Sequence, residues 1–175
     1  MGFKLNGIKN YISTSGYNEG KGVLYTQFSI NPTIKALRRS VYKPKKTFTR
    51  NLLNWLNPLG LAIWFLDDGH INVNTSSQRS SIQHTIKIAT CVDENTVNMI
   101  INYFKEVWDI NFRLFKEGKN TYSIASSCEC DCIKFVNIIK PFVLEVPSLK
   151  YKIRKDLTKE QFLQLSPEAQ DTYLL

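Results

Sequence analysis

Apolar positions along this chain follow two rhythms. Residues 81–89 alternate, with Ile82, His84, Ile86 and Ile88 on one side and Ser81, Gln83, Thr85, Lys87 and Ala89 on the other. That period predicts a strand with one buried face. Downstream, Val97, Ile100, Ile101, Phe104, Val107 and Trp108 recur at helical spacing behind Asp93-Glu94, acids that suit the positive end of a helix. A hairpin follows, with Phe112 to Lys116, a turn at 117–120, and Thr121 to Ala125. Ile133, Val136 and Ile139 mark a last core helix, expected to end at Pro141, and residues 144–175 form a polar, partly helical tail.

Earlier, residues 11–15 and 23–30 read as strands around a glycine-punctuated turn. Asn31-Pro32 starts a helix that should stop near Lys43-Pro44. A connector over 45–57 ends in a Trp55-bearing apolar stretch, after which Asn57 can cap a helix with Pro58 at its first position. That helix, Leu59 to Asp67, is apolar on nearly every side, so it should be buried on more than one side. His70 to Val73 then forms a short strand before the polar stretch 74–80. The order from residue 51 is α-β-β-α-β-β-α, an α+β domain, preceded by β-β-α. The expected organisation is a basic partial ββα unit at 1–50, a domain at 51–157 and a tail at 158–175.

Composition narrows the function. The chain has 175 residues and a net charge of +8. Residues 1–50 carry ten basic groups against one acid, Glu19, for +9, and the remainder carries −1. A basic segment joined to a near-neutral body suits phosphate binding. No apolar run approaches the length of a membrane span, and four cysteines are too few for a disulfide scaffold, so they are read as reduced core thiols. Cys128, Cys130 and Cys132 lack the C-x-x-C spacing of a zinc knuckle. His70 and His84 read as hairpin or core residues. Abundant Ile, Asn and Lys, whose codons are AT-rich, point to an AT-rich genome: a mitochondrion or other organelle, or else a phage or bacterial cytoplasm.

The chemistry concentrates at Leu61-Ala62-Ile63-Trp64-Phe65-Leu66-Asp67-Asp68-Gly69. Two carboxylates where an apolar helix ends meet an unfavourable dipole. Either a cation offsets them, a divalent metal being the natural one, or they are solvated residues of an Asp-Gly turn.

This segment resembles the motif that names the LAGLIDADG homing endonucleases and maturases. It is closest to the group whose second motif reads roughly L-x-P-L-x-L-A-x-W-F-x-D-D-G, supplied here by Leu56, Pro58, Leu59, Leu61, Ala62, Trp64, Phe65, Asp67, Asp68 and Gly69. The likeness extends to Lys45-Lys46-Thr47 and Leu52-Leu53 upstream, and to Ile139-Lys140-Pro141-Phe142 and Tyr151-Lys152 downstream. It implies a LAGLIDADG-type αββαββα fold with an antiparallel β-saddle. Two motif helices would pack at a pseudo-twofold seam, with Gly60 and Ala62 as the small residues allowing close approach. Ile63 departs from the family name, which has Gly there. Asp68 would bind Mg²⁺ or another divalent cation, Asp67 being structural, and Lys46 (or Lys45) and Lys152 would form the basic pocket of the catalytic site.

The saddle would read the major groove through Asn72, Asn74, Gln83, Thr85, Lys87, Arg113 and Lys116, with Tyr25 and Gln27 from the first unit and Arg79 reaching phosphates or bases. Two activities follow from the resemblance. One is a site-specific DNA homing endonuclease, whole or one part of a split or truncated enzyme. The other is a non-catalytic RNA-binding relative, a group I intron maturase or ribonucleoprotein component. Only one motif is present, so the expected partners are nucleic acid and a second motif-bearing chain or a second copy.

Overall fold

The computed structural model describes residues 5–12, 14, 19–28, 32–42, 48–74, 83–153 and 159–173. Lys45, Lys46 and Arg79 lie outside the described residues, as do the side chains of Tyr25, Gln27, Asn74 and Gln83. The chain divides into two compact units, residues 1–46 and 47–175.

The first unit is an antiparallel ribbon, β1 (Leu5–Ile12) and β2 (Gly22–Phe28), followed by helix α1 (Pro32–Val41). Strand β1 begins and ends earlier than the expected 11–15. Its partner β2 sets its length, and Gly7, at φ +87°, absorbs a register shift that lets Leu5 rejoin the ladder. Asn10 pairs with Leu24, so Ile8, Leu24 and Ile12 share one face, and all three are exposed. Lys35, Arg38 and Arg39 are exposed on α1, the two arginines at its negative end.

The second unit begins with α2 (Arg50–Leu53) and α3 (Pro58–Asp68). The Asn57 side chain accepts the Gly60 N–H at 2.8 Å and Pro58 occupies the first turn, the start that the sequence encodes. Four strands follow: β3 (Gly69–Asn74), β4 (Gln83–Val92), β5 (Arg113–Gly118) and β6 (Thr121–Ser126). Helix α4 (Glu94–Trp108) separates the two hairpins. Asp93 caps α4, accepting the Thr96 N–H at 3.0 Å, and this bond holds its carboxyl below the usual range. The sheet is antiparallel in the order β3-β4-β6-β5.

The alternation of β4 is realised: His84, Ile86, Ile88 and Thr90 are buried, while Thr85, Lys87 and Ala89 are half-buried on the other face. Ile71, Ile124 and the β4 isoleucines pack against the helices. Helix α5 (Glu129–Leu144) spans this core and continues through Pro141, which the sequence reading took as its end. Proline forfeits a single N–H in the final turn, and burial of Ile139 and Val143 on either side holds the helix through it.

The C-terminal segment is less detached than its polarity suggests. A 3-10 turn (Pro147–Lys152), α6 (Lys159–Leu163) and α7 (Pro167–Tyr173) return to the unit, where Leu165, Ala169 and Tyr173 join the core. Thr172 meets Asn137 at 3.2 Å, and Lys140 donates to the Asp171 carbonyl at 3.0 Å.

His84 is the core histidine that its position predicts. Its ring stacks on Tyr173 at 5.2 Å, and neither ring nitrogen finds a partner among the described residues. Desolvation lowers its pKa, with Glu129 opposing the shift. The folded state therefore binds this proton less readily than the unfolded chain. Its contribution is constant above about pH 6.5 and is lost as pH falls below that, by about 1.4 kcal/mol per unit of depression. Urea unfolding at pH 7.5 and pH 5 should show this loss, and His84→Phe should reduce it; an unchanged pH dependence in the variant contradicts the assignment.

Candidate active site and nucleic-acid interface

The inner side of α3 carries Leu61, Ala62 and Phe65, all buried, with Phe65 edge-on to Phe135 of α5 at 5.4 Å. Trp64 stacks on Phe48 at 5.5 Å. Its outer side is different. Leu59 is 47% exposed and Ile63 60%, and Asp67 continues the same i, i+4, i+8 stripe. The helix is thus buried on one side and uncovered on the other. Ala62 is 1% exposed inside the unit, so it cannot line a seam with a second helix, contrary to expectation. Gly60, Ile63 and Asp67 have the spacing for that, and Gly60 is half-buried at its edge.

The end of α3 is set by sterics. Gly69 is buried and caps the helix, donating its N–H to the Phe65 carbonyl. A Cβ at Gly69 would stand 2.2 Å from Phe65 Cδ2 and 2.6 Å from the Phe65 carbonyl oxygen. Only glycine lets the chain pass from helix straight into β3, and the half-buried Asp68 sits at that junction. Burying Leu61 and Phe65 is worth roughly 1.5–3 kcal/mol each. A carboxylate at a helix C-terminus costs about 0.3–1 kcal/mol. Core burial therefore wins and holds the acid there.

Lys152, expected in the basic pocket, lies at this end of the helix. Ile153, 1% exposed, anchors the 3-10 turn, and Lys152 Nζ donates to the carbonyls of Gly69 at 3.1 Å and Asp67 at 3.3 Å. Two of its three N–H groups are so engaged, against the negative end of α3. Lys152, 84 positions from Asp68 in sequence, is thus bonded to the backbone carbonyls of the two residues that flank Asp68. Asp68 offers hard oxygen donors of the kind Mg²⁺ takes. Among the described residues no group of three potential ligands forms around it. A hard divalent cation would suit this carboxylate, which is a single protein ligand among the described residues.

The open face of the sheet is defined by register. Asn72 pairs with Thr85, His70 with Lys87, and Asn74 with Gln83, so these positions share that face. Arg113 pairs with Ala125 and Phe115 with Ser123, extending it across β6 and β5. Lys116 pairs with Tyr122 and falls on the opposite face, so it does not stand with Arg113 as expected. Sequence reasoning missed the centre of this face. Lys87 bridges to Glu117 at 2.8 Å, lies 4.0 Å over the Phe115 ring, and Ser123 Oγ meets Glu117 at 2.8 Å. Lys87 foremost, then Ser123, holds the Glu117 carboxyl below its usual range. The signal was the length of the turn: only Lys119 and Asn120, the latter at φ +56°, join the strands, which puts Glu117 in β5.

The sequence profile described as the LAGLIDADG DNA endonuclease family matches residues 5–129. The chain belongs to that family. The structure is similar to the homing endonuclease I-WcaI bound to its DNA recognition sequence, with TM-score 0.67 and 20% identity, over 87% of this chain and 66% of that one. The LAGLIDADG fold expected from the motif is therefore the observed one. In sequence the chain is similar to Protein RecA of Mycobacterium shimoidei, 29% identical over 139 residues, covering 76% of this chain and 32% of that protein. Protein RecA of Mycobacterium leprae (strain TN) is 30% identical over 138 residues, covering 75% and 19%. The chain thus spans a third or less of the length of these curated relatives.

The steric account of the α3–β3 junction in this LAGLIDADG chain is testable. Gly69→Ala should lower stability by about 1–3 kcal/mol in urea unfolding, since Phe65 cannot move without disturbing Phe135. A change below about 0.5 kcal/mol would mean the junction has slack.

Proposed function

We propose that this LAGLIDADG chain works in a site-specific DNA endonuclease of the homing type, hydrolysing phosphodiesters with a divalent cation. One observation carries the reading: Asp68 stands half-buried at the end of a helix whose outer stripe is uncovered, and the Lys152 ammonium bonds the backbone carbonyls of the residues on either side of it. Family membership supports the reaction class. In this reading Asp68 holds Mg²⁺, which when bound would polarise the phosphate and supply an activated water. Lys152 keeps the end of α3 electrically balanced and presents its remaining N–H toward the charge that develops on the phosphate.

The outer stripe of α3, with Leu59 and Ile63, seats a second motif helix, from another motif-bearing chain or a second copy. That brings a second acid to the opposite DNA strand. The open sheet face lies on the duplex, with Asn72, Thr85, Lys87 and Arg113 toward base edges and phosphates. Glu117 competes with phosphate for Lys87 and so weakens binding to sequences that offer nothing in its place.

Cleavage tests the catalytic assignment. The chain, alone and mixed with a partner bearing a second motif, is incubated with a duplex library and Mg²⁺. Nicking or cleavage of a selected sequence is expected. Asp68→Asn should lower it by about 10³-fold or more while duplex binding survives. Lys152→Met should cost roughly 10–100-fold. An Asp68→Asn protein that cuts as the parent does would overturn the reading. The interface has its own readout, the salt dependence of binding to a non-cognate duplex. Glu117→Gln should tighten that binding and steepen the slope of log K against log salt by up to about 1. An unchanged slope would remove the open face from the contact.

A further inference from the structure

Of the four cysteines, only Cys132 has the buried position expected of all; burial pushes its thiol up to about 12. Cys128 and Cys130 are exposed at the first turn of α5. The expectation of core thiols fails because α5 places positions 128 and 130 ahead of its buried stripe at Cys132, Phe135, Val136 and Ile139. Ligand atoms of Cys128, Cys130 and Asp131 all lie within 4.8 Å of one another. They stand beside a surface hollow of about 480 Å³ lined by Cys128, Glu129, Cys130, Ile133, Ser166 and Glu168.

We propose that Cys128, Cys130 and Asp131 form a binding site for a thiophilic divalent cation of the zinc type, separate from the hard-cation position at Asp68. Two thiolates select a soft or borderline metal, whereas magnesium and calcium take oxygen donors. The geometry is close to what zinc needs. Sulfurs at about 2.3 Å from zinc in a tetrahedron stand roughly 3.8 Å apart, so small rotations about χ1 close the cluster. Asp131 is 97% buried, and its one described partner, Asn111 Nδ2, is distant at 3.5 Å. The carboxylate is thereby held in place with most of its acceptor capacity unused.

The start of α5 carries the positive end of a 16-residue helix, and a thiophilic cation displaces the thiol protons as it binds. The same dipole opposes a cation, but with only about half a charge against three ligand anions. Lys134 also lines the hollow, yet its ammonium is bonded to the Asp109 carboxylate and carbonyl. Glu168 and Glu129 add negative charge, Glu129 being held by Ser166 Oγ at 2.7 Å. In a chain of net charge +8 this is an acidic, thiol-bearing spot. Three protein ligands leave one position for water or a group from elsewhere.

The test uses the full chain, reduced and freed of metal, titrated with Zn²⁺ against a chromophoric chelator and separately with Co²⁺. One equivalent of zinc is expected, with a thiolate-to-cobalt absorption band in the Co²⁺ form. Cys128→Ser and Cys130→Ser should each abolish the band and weaken zinc binding by about 100-fold, and Asp131→Asn by about tenfold. Cys91→Ser, at the other exposed thiol, should bind as the parent does, and millimolar Mg²⁺ should not compete. Both exposed-cysteine variants are checked for folding by circular dichroism. Absence of stoichiometric zinc binding in the parent, or binding unmoved by Cys128→Ser and Cys130→Ser, overturns the proposal.

Discussion

Phe65 packed against the backbone of Gly69 decides where α3 ends, and with it where Asp68 stands. Any side chain at Gly69 would collide with the ring or the carbonyl of Phe65, which is itself wedged on Phe135. The helix therefore runs without a loop into β3, one of the two edge strands of the sheet. One contact thus couples the hydrophobic core, the acidic end of the motif helix and the surface that continues as Asn72. Lys152 completes the junction from late in the sequence, its ammonium bonded to the Asp67 carbonyl at the negative end of α3 and to the Gly69 carbonyl that opens β3.

The same helix explains why the unit is self-sufficient on one side only. Leu61, Ala62 and Phe65 turn inward, so the stripe Leu59, Ile63 and Asp67 must turn outward. A helix apolar all round was legible in the sequence. Which of its sides the unit covers was not, because hydrophobicity alone carries no direction when no polar face exists. Ala62, assigned to a seam by its small size and the resemblance, is core, and Ile63 takes the outward position.

Other parts of the sequence spoke clearly, for physical reasons that can be named. Strand β4 alternates over a full ladder, and the Asn57 and Asp93 caps are short-range hydrogen bonds that need no knowledge of the fold. Where the outcome depended on pairing, the sequence was silent. The ion pair of Lys87 with Glu117 follows from a two-residue turn and a register that no local pattern specifies, whereas the opposite faces of Arg113 and Lys116, three positions apart in one strand, follow from alternation alone. Pro141 shows the converse: a local stop signal was overridden by burial on both sides of it. The motif itself was legible, and the family match carries that reading to residues 5–129.

The central claim is that Asp68 meets a cation against a phosphodiester at the end of α3. Its most direct test is the position of Mn²⁺, located by anomalous scattering in a crystal of the chain on duplex DNA. The account predicts a peak about 2.2 Å from an Asp68 carboxylate oxygen, shared with a backbone phosphate. A carboxylate at position 68 turned to bulk solvent, with the metal bound elsewhere along the duplex, would contradict it.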